Sequence, residues 1–252
     1  MTNQPQVSWY EGANTKASEV KNTVNYNTVD ADSHSHIKVF YIWNNRGGTE
    51  DVSKMEEVVF TTRDRQGGDG SAQGNVVEAV RDNWFHVRVD SLNENENGWT
   101  PVGKGGVNTV NPSGTKDLGT SGTTTNVNAE TAQVWSASKA LTLDTYVQPT
   151  VANGYIYKVT KAGTTDGTEP TSWVKVEGNP VVDGTVEYIA IQIKKKPNAK
   201  EILGFANNTD VNGSNADLAG GNFVQISVFA DVPMTASAGK NLLMQRVSYR
   251  YV

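Results

Sequence analysis

Two histidines set two residues apart are the first positions whose type and spacing could do chemistry. Ser33, His34, Ser35 and His36 put both imidazoles on one side of an extended chain, where they could share a metal ion. A metal site takes three or four ligands, and nothing in the sequence ties the third histidine, His86, to that pair. No metal site is expected. The run Arg63, Asp64, Arg65, Gln66, Gly67, Gly68, Asp69, Gly70 sets carboxylates beside glycines. It lacks the regular ligand spacing of a helix–loop–helix calcium site and reads as a hairpin loop. Glu56 and Glu57 are adjacent, so in a strand they face opposite ways and form no acid–base pair. The chain contains no GxSxG, HExxH or phosphate-loop motif. It has no cysteine, which excludes disulfides and thiolate chemistry. The expectation is a protein that is not an enzyme and carries no cofactor.

What remains is recognition, and the residues suited to it lie in 146–188. Tyr146, Tyr157, Trp173 and Tyr188 recur there between tight-turn signals and form the candidate glycan-binding set. Tyrosines two apart in a strand, such as Tyr155 and Tyr157, point to one face. Flat rings there can stack on the apolar faces of sugars while their hydroxyls bond outward. The competing expectation is that a unit of about 60 residues uses its few large aromatics, Trp135, Tyr155 and Trp173 among them, to fill its core.

The elements that must position these residues are strands. Alternating apolar and polar residues mark them at 7–10, 37–43, 57–62, 84–89, 155–159, 186–193, 223–229 and 242–251. Turn clusters separate them at 45–48, 66–70, 93–98 and 207–222, and Asn153–Gly154 and Asp183–Gly184 are hairpin signals. Helix signals are weak; 200–203 is expected to make at most a turn. Pro233 is expected to end one strand and Gly239 to turn the chain into the last, as a closing hairpin. Lys194, Lys195 and Lys196 read as a solvated strand end that guards against edge pairing. Residues 101–128 hold many Gly, Thr, Asn and Ser and no aromatic, which predicts disorder or an extended arm. A sandwich of about seven strands needs the segments on both sides of 130–190. The expected fold is therefore all-β: an Ig-like β-sandwich from 1–128 and 191–252, including the 101–128 arm, with a small β module inserted at 129–190.

The module's elements resemble a small carbohydrate-binding-like module found in bacteriophage structural proteins and distantly related to chitin-binding modules. The matching residues are Trp135, Tyr146, Val147, Pro149, Asn153, Gly154, Tyr155 and Tyr157, then Ala162, Gly163 and Thr164. They continue through Gly167, Thr168, Glu169, Pro170, Trp173, Gly178, Asp183, Gly184 and Thr185. The flanking runs TVDADSHSHIKVFYIWNNRGGTEDVSKMEEVVFTT and VPMTASAGKNLLMQRVSYRY are similar to Ig-like domains of phage tail, baseplate and head-decoration proteins. The resemblance implies a virion structural protein of tail or baseplate, or a head decoration protein. Its partners would be other virion proteins in a symmetric assembly or homo-oligomer, with a host surface glycan as a possible ligand.

Charge and hydropathy agree with that expectation. A net charge of −5 offers no basic footprint for nucleic acid. No run approaches the roughly 20 apolar residues of a membrane span, and no export signal opens the chain. Synthesis in the host cytoplasm, release by lysis and residence in the virion are what this predicts.

Overall fold

The computed structural model describes residues 3–104, 114–207 and 218–251. It is almost entirely β, built from several antiparallel sheets. The larger sheet of a two-sheet sandwich orders its strands Val7–Glu11, Lys38–Asn44, Phe223–Val232, Phe85–Val89 and Thr100–Val102, with Ser33–His34 added beside the central strand. The facing sheet orders Leu243–Arg250, Glu56–Asp64 and Lys116–Asp117. Alternation decides what lies between them. Phe40 and Ile42, Val58 and Phe60, Val87 and Val89, and Val224, Ile226 and Val228 all point inward and are fully buried. Each such side chain contributes about 1.5–3 kcal/mol on leaving water. The sequence-marked strands all form, within a residue or two at most ends.

The last two strands are not a hairpin, which corrects the sequence expectation. Phe223–Val232 pairs with Lys38–Asn44 and Phe85–Val89, whereas Leu243–Arg250 pairs with Glu56–Asp64 in the opposite sheet. The ten residues between them cross from one sheet to the other, because each strand already has apolar neighbours of matching register. The crossing segment leans on a single-turn helix, Glu78–Arg81, that no sequence signal marked. Asn241 Oδ1 accepts from Ala79 N at 3.3 Å, and Ser237 Oγ donates to Glu78 Oε1 at 2.8 Å.

The expected arm is also corrected where it is described; residues 105–113 lie outside the described residues. Lys116–Asp117 pairs with Val59 and Phe60, and Leu118 N donates to Val58 O at 2.8 Å. Leu118, Thr120, Thr124 and Asn126 are buried. Hydrogen bonds, not apolar bulk, hold this stretch. Thr120 Oγ1 donates to Gly220 O at 3.0 Å, and Thr124 Oγ1 donates to Asn222 Oδ1 at 2.8 Å. Gly122 lies so close to the opposing chain that a Cβ there would sit 2.4 Å from Gly220 O. A segment poor in large side chains can thus be packed when its polar groups are satisfied by backbone.

Residues 133–192 build a separate sheet in the order Pro180–Asp183, Val186–Gln192, Tyr155–Lys161, Tyr146–Gln148 and Gln133–Val134. The chain reaches it through Thr124–Thr125 and leaves it through Lys194–Lys195, and these two short strands pair antiparallel. Lys195 is therefore not a solvated strand end. Its Nζ lies 2.9 Å from Glu177 Oε1 and 4.1 Å from the centre of the Phe205 ring.

Glu57 is a residue whose conformation works against its side chain. It sits at φ +52 within the strand Glu56–Asp64, where the register against Leu243–Arg250 shifts by one residue. This is a bulge whose extra residue occupies the left-handed region, costly for anything but glycine. Glu57→Gly is expected to stabilise the protein by up to about 1 kcal/mol, read as a higher denaturation midpoint in urea. The ion pair of Glu57 with Arg250, at 3.6 Å between exposed groups, is too weak to offset that gain.

Candidate functional site

The four aromatics singled out by sequence divide between two faces of the module sheet. Tyr157 and Tyr188 are fully buried in a core with Leu141, Val147, Val159, Val181, Val186 and Ala190. Trp173 is half-buried against the same core, its ring centre 4.3 Å from that of Tyr157 and 5.8 Å from that of Tyr188. Trp135 and Tyr155 also pack on it. Tyr157 and Tyr188 therefore offer no ring face to a ligand, which corrects their place in the candidate set. A unit this small has little else with which to exclude water.

The polar ends of these rings are used as well. Tyr157 donates to Val174 O at 2.9 Å and accepts from Asn153 Nδ2 at 2.9 Å. Burial raises the pKa of its hydroxyl despite the Asn153 bond. Tyr188 is raised further, by burial and by the neighbouring Asp183 carboxylate to which it donates at 3.3 Å. Asp183, itself buried, also accepts from Trp135 Nε1 at 2.7 Å on the same oxygen and from Asp166 N at 2.8 Å on the other. The next residue, Gly184, turns the chain at φ +61, where a Cβ would meet Thr164 O at 2.4 Å. The Asp–Gly signal thus does mark a tight turn, between Asp183 and its cross-strand partner Val186. Sequence reasoning saw that turn and missed that the aspartate is the polar centre of the module.

Tyr146 lies on the other face, opposite Lys158, whose Nζ is 5.8 Å from the ring centre. Burial raises its pKa, offset in part by Lys158 and added to by Glu50, Asp144 and Asp51. Glu50 and Asp51 belong to the sandwich, so this face of the module looks toward it. Trp173 keeps part of its ring exposed, with Nε1 donating to Glu169 Oε1 at 3.1 Å. Burial pushes the Glu169 carboxyl up, but bonds from Thr150 and Trp173 prevail and hold it below the usual range.

On the sandwich, two of the three histidines, His34 and His86, meet around Phe229. His34 packs edge-on to that ring at 5.5 Å and His86 stacks on it at 5.1 Å. The two imidazoles sit on opposite sides of the central strand, since His34 pairs with Asp231 and His86 with Phe229 across different edges. Two strand spacings separate them by about 10 Å, too far to share one ion. Their Nδ1 atoms are already engaged, by Asp231 Oδ1 at 3.1 Å and Trp84 O at 3.2 Å. Among the described residues no group of three His, Cys, Asp or Glu could hold a metal ion.

Asp64 organises its own loop. Its Oδ1 accepts from Gln66 N at 2.9 Å and Gly68 N at 2.8 Å, and its Oδ2 from Gly70 N at 3.3 Å. These backbone bonds, that from Gly68 foremost, outweigh burial and hold its pKa below the usual carboxylate range. A carboxylate with a depressed folded-state pKa adds stability at neutral pH that disappears as pH falls through that pKa. Asp64→Asn is accordingly expected to lower stability at pH 7 and to flatten the acid limb of the stability–pH curve, followed by urea denaturation at stepped pH.

A depression lined by Trp135, Ser136, Lys139, Leu141 and Thr165 marks the module surface but is too shallow to enclose a small molecule. No helix among the described residues is long and apolar enough to cross a membrane.

No family model, curated protein or solved structure matches this chain. Among the described residues Phe40, Trp43, Phe60, Tyr157 and Tyr188 are fully enclosed, whereas Tyr146 and Trp173 are half-buried.

Proposed function

We propose that the protein is a non-enzymatic structural component of a bacteriophage particle, of tail or baseplate, whose work is to make contacts between subunits. The order of aromatic and turn residues from Trp135 to Thr185 supports this by resemblance, as do the flanking runs. The observation that carries it furthest is how the module is mounted. Paired strands at Thr124–Thr125 and Lys194–Lys195 hold it on the sandwich, and its rings are committed to its own core rather than to a pocket. Such a body suits repeated docking in a symmetric assembly. Position on the head as a decoration protein fits the same features. The test is mass spectrometry of purified particles from a producing host. Peptides of this chain in fixed ratio to the major virion proteins are the expected result; their absence from clean particles overturns the proposal.

A second reading, adhesion to host cell-wall glycans, has one observation in its favour: the part-exposed Trp173 ring beside Glu169 and Thr150. A glycan array with the native chain and Trp173→Phe, which retains the packing on Tyr157, decides it. Binding that is lost in the variant at unchanged melting temperature supports adhesion, and a native chain that binds no glycan sinks it.

A further inference from the structure

The sandwich leaves one long sheet edge without a partner. Leu243–Arg250 pairs with Glu56–Asp64 on one side, and no described residue hydrogen-bonds the backbone on its other side. Tyr26 approaches the strand only through a side chain, accepting from Gln245 Nε2 at 2.5 Å. Every second residue of this eight-residue strand leaves its N–H and C=O open on that side, which makes the edge a template for another strand. The inward-facing Leu243, Val247 and Tyr249 are only partly covered by the core. Leu242, Met244 and Tyr251, on or beside the strand, are 40, 38 and 43% exposed.

We propose that this edge joins two copies of the chain, their Leu243–Arg250 strands pairing antiparallel about Val247 so that two three-stranded sheets become one. Two identical edges pair about a two-fold axis, which makes the strands antiparallel. The side chains then choose the register. With the axis at Arg246, that arginine faces its own copy. With the axis at Ser248, Arg246 faces Arg250 twice. Like charges directly opposite one another are destabilising, which disfavours the first register; in the second, Arg250 is held by Glu56 and Glu57, but only residues 246–250 of the strand pair with their copies. With the axis at Val247, Arg246 faces Ser248 and Arg250 faces Met244. The core-side row then reads Leu243 against Tyr251, Gln245 against Tyr249 and Val247 against Val247. This register separates the arginines, gathers the apolar residues on the core side and uses the strand's full length. It stands whether or not the protein belongs to a particle.

The chain has no cysteine, so a single introduced thiol reports on its own copy alone. Only a residue at the axis meets itself, and directly opposed positions on paired strands come close enough for a disulfide. Val247→Cys is expected to give a covalent dimer on mild oxidation, while Arg246→Cys and Ser248→Cys stay monomeric. Sedimentation velocity of the unmodified chain should show a concentration-dependent dimer. A chain monomeric from micromolar to millimolar concentration overturns the proposal. So does cross-linking through Arg246→Cys or Ser248→Cys in place of Val247→Cys. None of these outcomes bears on whether the chain is found in particles.

Discussion

Asp183→Ala is expected to unfold the 133–192 sheet selectively, at a cost of about 3–5 kcal/mol. The carboxylate accepts from Trp135 Nε1, Tyr188 Oη and Asp166 N, and it is buried. Removing it takes the acceptor from three donors, of which the Tyr188 hydroxyl is fully buried and the Trp135 indole partly so, each unsatisfied buried group costing about 1–3 kcal/mol. A unit of this size has a total stability of only a few kcal/mol, at about 0.05–0.15 kcal/mol per residue. Asp183→Asn is expected to cost roughly half as much, because its amide oxygen still accepts while its nitrogen opposes a donor. Equilibrium denaturation followed by tryptophan emission reads this directly, since Trp135 and Trp173 lie in the module and the other tryptophans in the sandwich. Two separated transitions in Asp183→Ala are expected. A single transition at the native midpoint would show that the aspartate is dispensable.

Asn222→Leu should destabilise the sandwich by about 3–4 kcal/mol although leucine is nearly isosteric and apolar. Asn222 is fully buried. Its Nδ2 donates to Asn44 O at 3.0 Å and Phe205 O at 2.8 Å, and its Oδ1 accepts from Thr124 Oγ1. Asn207 and Asn45 extend the network, Asn207 Nδ2 reaching Asn45 O at 2.7 Å and Asn45 Nδ2 reaching Gly204 O at 2.8 Å. These amides fasten four distant segments where strand pairing has ended. Leucine would take the amide donor from Asn44 O and from Phe205 O, which keeps the 3.0 Å bond from Asn207 Nδ2, and would remove the acceptor of the Thr124 hydroxyl in a dry site. Asn222→Asp carries the sharper signature. A carboxylate facing two carbonyl oxygens has its pKa raised in the folded state, so the variant's stability is fullest below the ordinary aspartate pKa. It is lost as pH rises through the raised value. Stability of Asn222→Asp that does not recover in acid would contradict this arrangement.

Much of the fold was legible in single stretches of chain. The alternation in WFHVRV sets Phe85 and Val87, which face the core, apart from His86 and Arg88, because a strand's side chains change face at every step. The same rule places Tyr155 and Tyr157 on one face, as found. The candidate site was read less well. Tyr157 and Tyr188 have the residue type of a sugar platform, yet the loop carrying Trp173 closes over them. Nothing local distinguishes a ring left bare from a ring that is covered. Residues 114–126 failed for the reverse reason. Their composition promises too little apolar surface, and it is Gly220 and Asn222, about a hundred residues away, that satisfy their hydroxyls.

By itself the sequence determined that this protein is all-β and where eight of its strands run. These properties depend on neighbours one or two residues apart. Only the tertiary structure decided which sheet the last strand joins, which aromatics keep an open face, and that Asp183 and Asn222 are the polar centres of their regions. It also decided that the edge of Leu243–Arg250 stays open. Those outcomes depend on which distant groups meet and whether every buried donor finds an acceptor, and no local pattern encodes that.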